Sequence, residues 1–399
     1  MQKQMWVTDN LNNKDMQKTI VNIITEDNPV SAYLFIKEMY KEGDRLMYIS
    51  AKDTEDDLEL MAEVDNVPVE LIDEIVLKRD MDEFSYEMIC RTIKTHLCDS
   101  EHYCVNLAGG TRYLALAVQQ VFEDFQTDFY YTDLEDNILI KSKFDDNIYN
   151  NDDYHIPIKY KLSIEEYLKI HEININRKSG DMKPTQSPDM SEHFFDLFTH
   201  NKFKPKDYKV MELLRVNYRN RKHISIWEVE NNDTQKNPQI TGLSDFLSTV
   251  RFKPEFEDNL TKEELEFLTG GWFEEYIYYK VVDILHPEQI TLNMVINPDN
   301  IQRINELDVV YMVNNKLYVI ECKSGIESES MFNSIVYKAC ALRESFLGCQ
   351  CKSFICALKK DDNDFLSRIA QNMDITFWDS DTITNKKALE NAIKLSIAY

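Results

Sequence analysis

Asp308, Glu321 and Lys323 are the residues whose types and spacing first suggest chemistry. They belong to the stretch Glu306-Leu-Asp-Val-Val-Tyr-Met-Val-Asn-Asn-Lys-Leu-Tyr-Val-Ile-Glu-Cys-Lys-Ser-Gly325, two apolar runs joined at Asn314-Asn315. Asn tolerates the left-handed backbone that two-residue hairpin turns require. Pairing Val313 with Lys316 and counting outward sets Asp308 across the ladder from Glu321. Like charges facing each other on neighbouring strands destabilise a sheet, so something positive is expected between them. Lys323 lies two residues beyond Glu321 and shares its face. A divalent cation is the simplest further partner, and hard oxygen donors suit Mg²⁺ or Mn²⁺. A lysine beside such an ion can orient or activate water and offset charge building on a phosphate, so the set points to metal-assisted phosphodiester hydrolysis. A bare Asp, then Glu-x-Lys, is a common pattern. The hairpin register, and the apolar run Leu317 to Ile320 leading straight into Glu321, raise it above a solvated strand end.

With that hairpin, the residues resemble the PD-(D/E)xK restriction-endonuclease-like nucleases, whose core hairpin follows a helix carrying another acid. Here the preceding helix opens at Gly270-Gly-Trp-Phe-Glu-Glu275. That opening is similar to the subgroup in which the nuclease follows a CRISPR-associated Rossmann-fold (CARF) domain, an accessory effector of type III CRISPR systems. The resemblance implies metal ligation by Glu274, Asp308, Glu321 and the main-chain carbonyl of Cys322, with Lys323 catalytic. Glu275 stands as an alternative to Glu274, and helix starts favour acids anyway.

The elements that must position these groups follow from the chain as a whole. At 399 residues it should hold two or three domains. No apolar run approaches a membrane span, and the polar start Met1-Gln-Lys-Gln lacks a signal peptide's core, so a cytoplasmic protein is expected. The eight cysteines form no Cys-x-x-Cys pair, which favours free thiols over a zinc set. A net charge of -25 excludes a protein that coats nucleic acid by bulk attraction. The charge is uneven. Residues 1–155 carry 14 Lys and Arg against 33 Asp and Glu, whereas residues 156–250 carry 15 against 13.

Residues 18–25 read as a buried strand and Asn28-Pro29 as a helix start, with Gly43 ending that helix and Arg45 to Ser50 forming the next strand. Residues 67–77 and 84–97 repeat the pattern, which implies a parallel sheet with right-handed crossovers. The fourth repeat, Tyr103-Cys-Val-Asn-Leu-Ala-Gly-Gly-Thr-Arg112, ends a strand, passes two glycines and starts a helix near Thr111. Such a start is receptive to phosphate, although it is neither a Walker loop nor a full dinucleotide fingerprint. The stretch Asn106 to Arg112 resembles the ligand loop of CARF domains, which bind cyclic oligoadenylates as dimers. The resemblance points to Thr25, Glu26 and Asn28, then Ser50 and Lys52, then Asn106, Gly109, Gly110, Thr111 and Arg112 as the pocket. Cyclic tetra-adenylate is the first ligand it suggests.

Residues 127–142 read as a hairpin, Ile156 to Leu162 as an edge strand, and Ser163 to Glu166 as a capping box. Asn201 to Lys222 carries Lys202, Lys204, Lys206, Lys209, Arg215, Arg219, Arg221 and Lys222 against Asp207 and Glu212. It is either a substrate-facing patch, with Phe203, Tyr208 and Tyr218 available to stack bases, or a solvated face. Thr261 to Glu264 is a second capping box, and Thr269-Gly270 breaks the helix it starts. After the hairpin come a helix, a strand near 352–358, another helix, a strand near 375–378 and a final helix. Lys338, on the first of these helices, could reach the site from there, but surface placement is the favoured reading.

The expected architecture is α/β: a Rossmann-like CARF domain at 1–155, a small α+β segment at 156–250 and a restriction-endonuclease-like domain at 251–399. The expected activity is that of a homodimeric, metal-dependent nuclease switched on by a cyclic oligoadenylate and acting on single-stranded or nicked nucleic acid. Two alternatives are a ligand-sensing regulator that binds nucleic acid without cutting, and an unregulated restriction or repair nuclease.

Overall fold

The computed structural model describes residues 17–24, 29–50, 67–77, 85–142, 154–175, 183–232, 239–298, 305–324, 329–342, 351–358, 363–373 and 375–398. The chain divides into two units, Met1–Tyr160 and Lys161–Tyr399.

In the first unit the strands are β1 (Thr19–Ile24), β2 (Arg45–Ser50), β3 (Ile72–Val76), β4 (His102–Asn106), β5 (Gln126–Asp133), β6 (Ile138–Ser142) and β7 (His155–Pro157). They form one sheet in the order β3-β2-β1-β4-β5-β6-β7. The five strands from β3 to β5 run parallel, and β6 and β7 add antiparallel at one edge. All six residues of β1 are buried, as expected of a central strand covered on both faces. The sequence expects an edge strand over Ile156 to Leu162, and β7 ends instead at Pro157, whose ring cannot donate to the ladder.

The second unit carries β8 (Ile173–Ile175), β9 (His223–Ser225), β10 (Asn259–Thr261), β11 (Gln289–Pro298), β12 (Asn305–Val313), β13 (Lys316–Lys323), β14 (Cys351–Ala357) and β15 (Thr376–Trp378). Six of these make a sheet in the order β15-β14-β13-β12-β11-β8, while β9 and β10 pair separately. From β11 to β13 the strands form an antiparallel meander, and β14 and β15 continue parallel to β13. Asn314 and Asn315 both take positive φ, 51° and 61°, and the rungs run from Val313 with Lys316 to Val309 with Ile320. The Asn315 side chain also accepts the Leu162 amide at 2.7 Å, which clamps the turn.

The segment 156–250 does not make a third body: residues 156–160 belong to the first unit and residues 161–250 to the second. Phe194, Leu214, Tyr218 and Phe246 pack in one hydrophobic core with Trp272, Phe273, Tyr318 and Ile320. The segment's side chains complete the nuclease-side core. Both capping boxes form, at Ser163 with Glu166 and at Thr261 with Glu264. The helix from Lys262 does not stop at Thr269. It passes through a wide turn, Phe267–Gly271, kinked at Gly270 with φ 149°, into the helix Trp272–Leu285. Among the described residues no helix is long and apolar enough to cross a membrane.

Candidate active site and ligand pocket

Asp308 and Glu321 sit at the open end of the hairpin, one rung beyond Val309 and Ile320. Both are buried, at 6% and 9% exposure. The Asp308 carboxylate takes the place of a backbone acceptor: Cys322 N donates to its Oδ2 at 2.7 Å. Lys323 Nζ lies 2.7 Å from Glu321 Oε1 and 3.3 Å from Asp308 Oδ2, and it donates to the Cys322 carbonyl at 3.1 Å. On β11 the residue in register with Asp308 is Asn293, which adopts φ 48° in mid-strand. Left-handed backbone inside a strand is the kind of local strain that collects at functional sites.

The helix Trp272–Leu285 settles the geometry of its two adjacent acids. Glu275 turns away from the hairpin: its carboxylate accepts Thr185 N and Oγ1, both at 2.7 Å, then Gln186 N at 3.1 Å and Ser191 Oγ at 3.4 Å. Burial nevertheless outweighs those hydrogen bonds and raises its carboxyl above the usual range. Glu274 faces the other acids. Burial first, and the Asp308 charge second, push its carboxyl up to about 8, while Lys323 and Arg219 pull the other way. Burial and then Glu321 push Asp308 up to about 6. Burial disfavours the charge on Lys323 too, but Asp308 and Glu321 outweigh it and hold the ammonium above the ordinary lysine range.

These observations fit a divalent metal. Asp308 and Glu321 are buried together at the hairpin end, and Glu274 feels the Asp308 charge; Asp308 and Glu274 are both driven toward neutrality, the situation an added cation reverses. The donors are hard oxygens, as Mg²⁺ and Mn²⁺ prefer.

For Lys338 the structure selects the less favoured of the two sequence alternatives. On the helix Glu329–Leu342 it reaches back to the hairpin, with Nζ 3.4 Å from Glu321 Oε2 and 3.1 Å from the Glu306 carbonyl. No local pattern signals this, because it depends on how that helix crosses the sheet.

In the first unit the candidate pocket lies where the strand order reverses, between β1 and β4. Ligands of open α/β sheets bind outside the carboxyl ends of strands at such a switch point. Beside the glycine loop after β4 a cavity of about 760 Å³ opens, lined among others by Gly109, Gly110, Thr111, Arg112, Leu116 and Tyr131. Thr111 caps the helix Arg112–Phe122, its hydroxyl accepting the Leu114 amide at 3.2 Å. Gly109 has no room for a side chain, since a Cβ would come within 2.1 Å of the Ile23 carbonyl oxygen. Gly110 has φ 70°. Tyr131, on β5, escapes the sequence reading because it is brought in from outside the βα turn.

The sequence assigns Asn106 to ligand contact, and the structure shows it spent within the protein. Its amide donates to Asn22 Oδ1 at 3.0 Å, and its Oδ1 accepts Ala108 N at 3.1 Å and the Thr132 hydroxyl at 3.2 Å. It ties β1, the glycine loop and β5 together. Ser50 ends β2 and is fully buried. Thr25, Glu26, Asn28 and Lys52 lie outside the described residues.

Elsewhere, His102, Cys104 and Asp128 bring potential metal donors within 4.8 Å of one another. Lys141 Nζ, 2.8 Å from Asp128 Oδ1, already supplies a cation there. Burial pushes the Cys104 thiol up to about 11, away from the thiolate a metal needs.

Two family models match the chain. One, described as the Card1 CARF domain, covers residues 13–167, and the other, described as a Card1-like endonuclease domain, covers residues 261–396. Among solved structures, protein VC1899 from Vibrio cholerae matches with a TM-score of 0.69 at 17% identity, over 95% of this chain and 98% of that one. Can2 from Sulfobacillus thermosulfidooxidans, in complex with cyclic tetra-adenylate, matches with a TM-score of 0.67 at 18% identity, over 96% and 98%. At these identities the likeness is one of fold. No curated protein matches the sequence.

Proposed function

The chain is a Card1-like CARF nuclease, a Card1 CARF domain followed by a Card1-like endonuclease domain, and on that premise we propose a metal-dependent endonuclease switched on by a cyclic oligoadenylate in type III CRISPR defence. The observation that carries the catalytic part is the convergence of Asp308, Glu321 and Lys323 at the end of one hairpin, with Glu274 within electrostatic reach of Asp308. Glu274, Asp308, Glu321 and the Cys322 carbonyl would hold Mg²⁺ or Mn²⁺. When bound, such an ion lowers the pKa of water and offsets charge on the scissile phosphate. Lys323 keeps its proton, stands beside two carboxylates and orients what enters between them.

Cyclic tetra-adenylate is the activator we favour, consistent with its presence in the Can2 complex. The glycine loop offers close backbone approach and a helix start receptive to phosphate. We further propose a homodimer. Tyr113, Leu116 and Tyr131 leave 42%, 58% and 51% of their surface exposed beside the loop, and an isologous interface would bury them. The ligand activates to the extent that it binds the cutting arrangement more tightly than the resting one. The substrate in this reading is single-stranded or nicked nucleic acid in the cytoplasm.

The test is cleavage of labelled single-stranded DNA, RNA and supercoiled plasmid with Mn²⁺ or Mg²⁺, with and without cyclic tetra-adenylate, beside Lys323→Ala and Glu321→Ala. Cutting only with ligand, and lost in both variants, is the expected result. Cutting regardless of ligand would favour an unregulated nuclease. Ligand binding without any cutting would favour a sensing regulator.

A further inference from the structure

The basic segment 201–222 belongs to the nuclease unit, and its two ends differ in surroundings. The helix Pro205–Asn217 packs on the wide turn Phe267–Gly271, which leads directly into Glu274. At its C-terminal end Tyr218 is buried in the same core as Phe267, Trp272 and Phe273, which anchors the residues that follow. Lys222 is fixed as well, its carbonyl accepting the Lys262 amide at 3.0 Å where the helix toward the active site begins. Arg215, Arg219, Arg221 and Lys222 are exposed, and the positive charge of Arg219 is felt at Glu274. At the other end Lys206 is engaged with Asp245 at 3.4 Å.

The aromatic residues sort differently from the sequence reading. Phe203 and Tyr218 are buried and cannot stack on bases, whereas Tyr208 is 40% exposed and Trp227, on the short helix after β9, is 64% exposed. Cations interleaved with exposed rings form the surface that single strands prefer, since every base has a face to stack and every nucleotide a phosphate to neutralise. The net charge of -25 makes such a local strip necessary, because bulk attraction is absent.

We infer that Arg215, Arg219, Arg221 and Lys222, with Trp227, form a track that delivers the phosphate backbone of a single-stranded nucleic acid to the Asp308 and Glu321 centre. The track rests on the nuclease reading for its purpose but is measured separately from it. The experiment is fluorescence anisotropy of a labelled single-stranded oligonucleotide on the full-length chain in EDTA, with cyclic tetra-adenylate present, as a function of salt. Steady-state cleavage with Mn²⁺ runs alongside.

Arg219→Glu with Arg221→Glu is expected to weaken binding by on the order of tenfold or more. It should also flatten the plot of log affinity against log salt by about 1.4, at roughly 0.7 for each phosphate of a single strand that is no longer neutralised. In cleavage the loss should fall on KM more than on kcat. The milder Arg219→Gln with Arg221→Gln should flatten the slope in the same direction, and Trp227→Ala should weaken binding without changing it. Lys202→Glu with Lys204→Glu, at the far end, should leave both unchanged. Unchanged affinity and slope in the arginine variants would overturn the track, as would a fall in kcat alone. If the wild type binds with the expected slope yet cuts nothing, the nuclease reading fails and the track stands.

Discussion

The two sites of this protein are built on opposite principles. The hairpin site is made of side chains: buried carboxylates are forced together, and two lysines are drawn in to offset them. The glycine-loop site is made of backbone: it depends on side chains being absent at Gly109 and Gly110, and on one hydroxyl capping a helix. A site for a cation concentrates negative side chains at a cost in desolvation. A site for a phosphate ring can be assembled from amides and a helix start, which carry no net charge. The first should therefore be sensitive to charge and the second to shape.

The sharpest break in that comparison is Lys323→Ala. Losing a preorganised cation where charge develops should lower cleavage on the order of 10²- to 10³-fold, while calorimetric binding of cyclic tetra-adenylate stays at the wild-type value. Equal loss of both would mean that the two sites are not separable.

Gly109→Ala is the converse. A Cβ 2.1 Å from the Ile23 oxygen cannot be accommodated without a shift of β1 or the loop, so the variant should lose ligand binding. It should also lower the melting point of the N-terminal unit by an amount corresponding to about 1–3 kcal/mol of overpacking. Ordinary ligand affinity in this variant would show that the loop is not the binding element.

Neighbouring acids test whether charge or hydrogen bonding is at stake. Glu275→Gln should cost about 1–3 kcal/mol of stability in urea unfolding, because its four donors lose a carboxylate acceptor. Glu274→Gln should leave stability unchanged or raise it, and weaken Mn²⁺ binding. The reverse pattern would exchange their roles.

The same logic predicts a pH dependence. Asp308 and Glu274 have folded-state pKa values near 6 and 8, above the ordinary carboxylate range. Groups raised in this way favour the fold when protonated, so that contribution is full below about pH 4 and is lost as pH rises from there, completely for Asp308 above about 6 and for Glu274 above about 8. Metal-free protein in EDTA should melt at progressively lower temperature across that window. Mn²⁺ should restore the loss, and Asp308→Asn should flatten it. A metal-free melting curve indifferent to pH would show that the acids are not crowded. Smallest in effect, Lys338→Met should weaken Mn²⁺ affinity by about tenfold, since it frees the outer oxygen of Glu321. Unchanged affinity would assign Lys338 to the Glu306 carbonyl alone.

Much of the hairpin was legible because its information is local. Two asparagines set the turn, a period of two sets the faces, and counting rungs brings Asp308 to Glu321 without knowledge of the rest of the chain. The same holds for the capping boxes at Ser163 and Thr261 and for the glycine loop after β4. Asn106 was misjudged because a polar residue at a strand end looks alike whether it faces a ligand or a neighbouring loop. Its partners, Asn22 and Thr132, are 84 and 26 residues away.

By itself, then, the sequence determined the strand and helix alternation, the hairpin register, the crowding of carboxylates and the absence of bulk attraction for nucleic acid. Each depends on residue type and spacing within a few turns or rungs. Only the tertiary structure decided which of Glu274 and Glu275 faces the hairpin, since consecutive helical residues point about 100° apart and either face suits a helix start. It also decided that Lys338 reaches Glu321, that Phe203 and Tyr218 are core, and that residues 161–250 belong to the second unit. Those outcomes depend on which surfaces meet across long separations, where packing and desolvation outweigh any local preference.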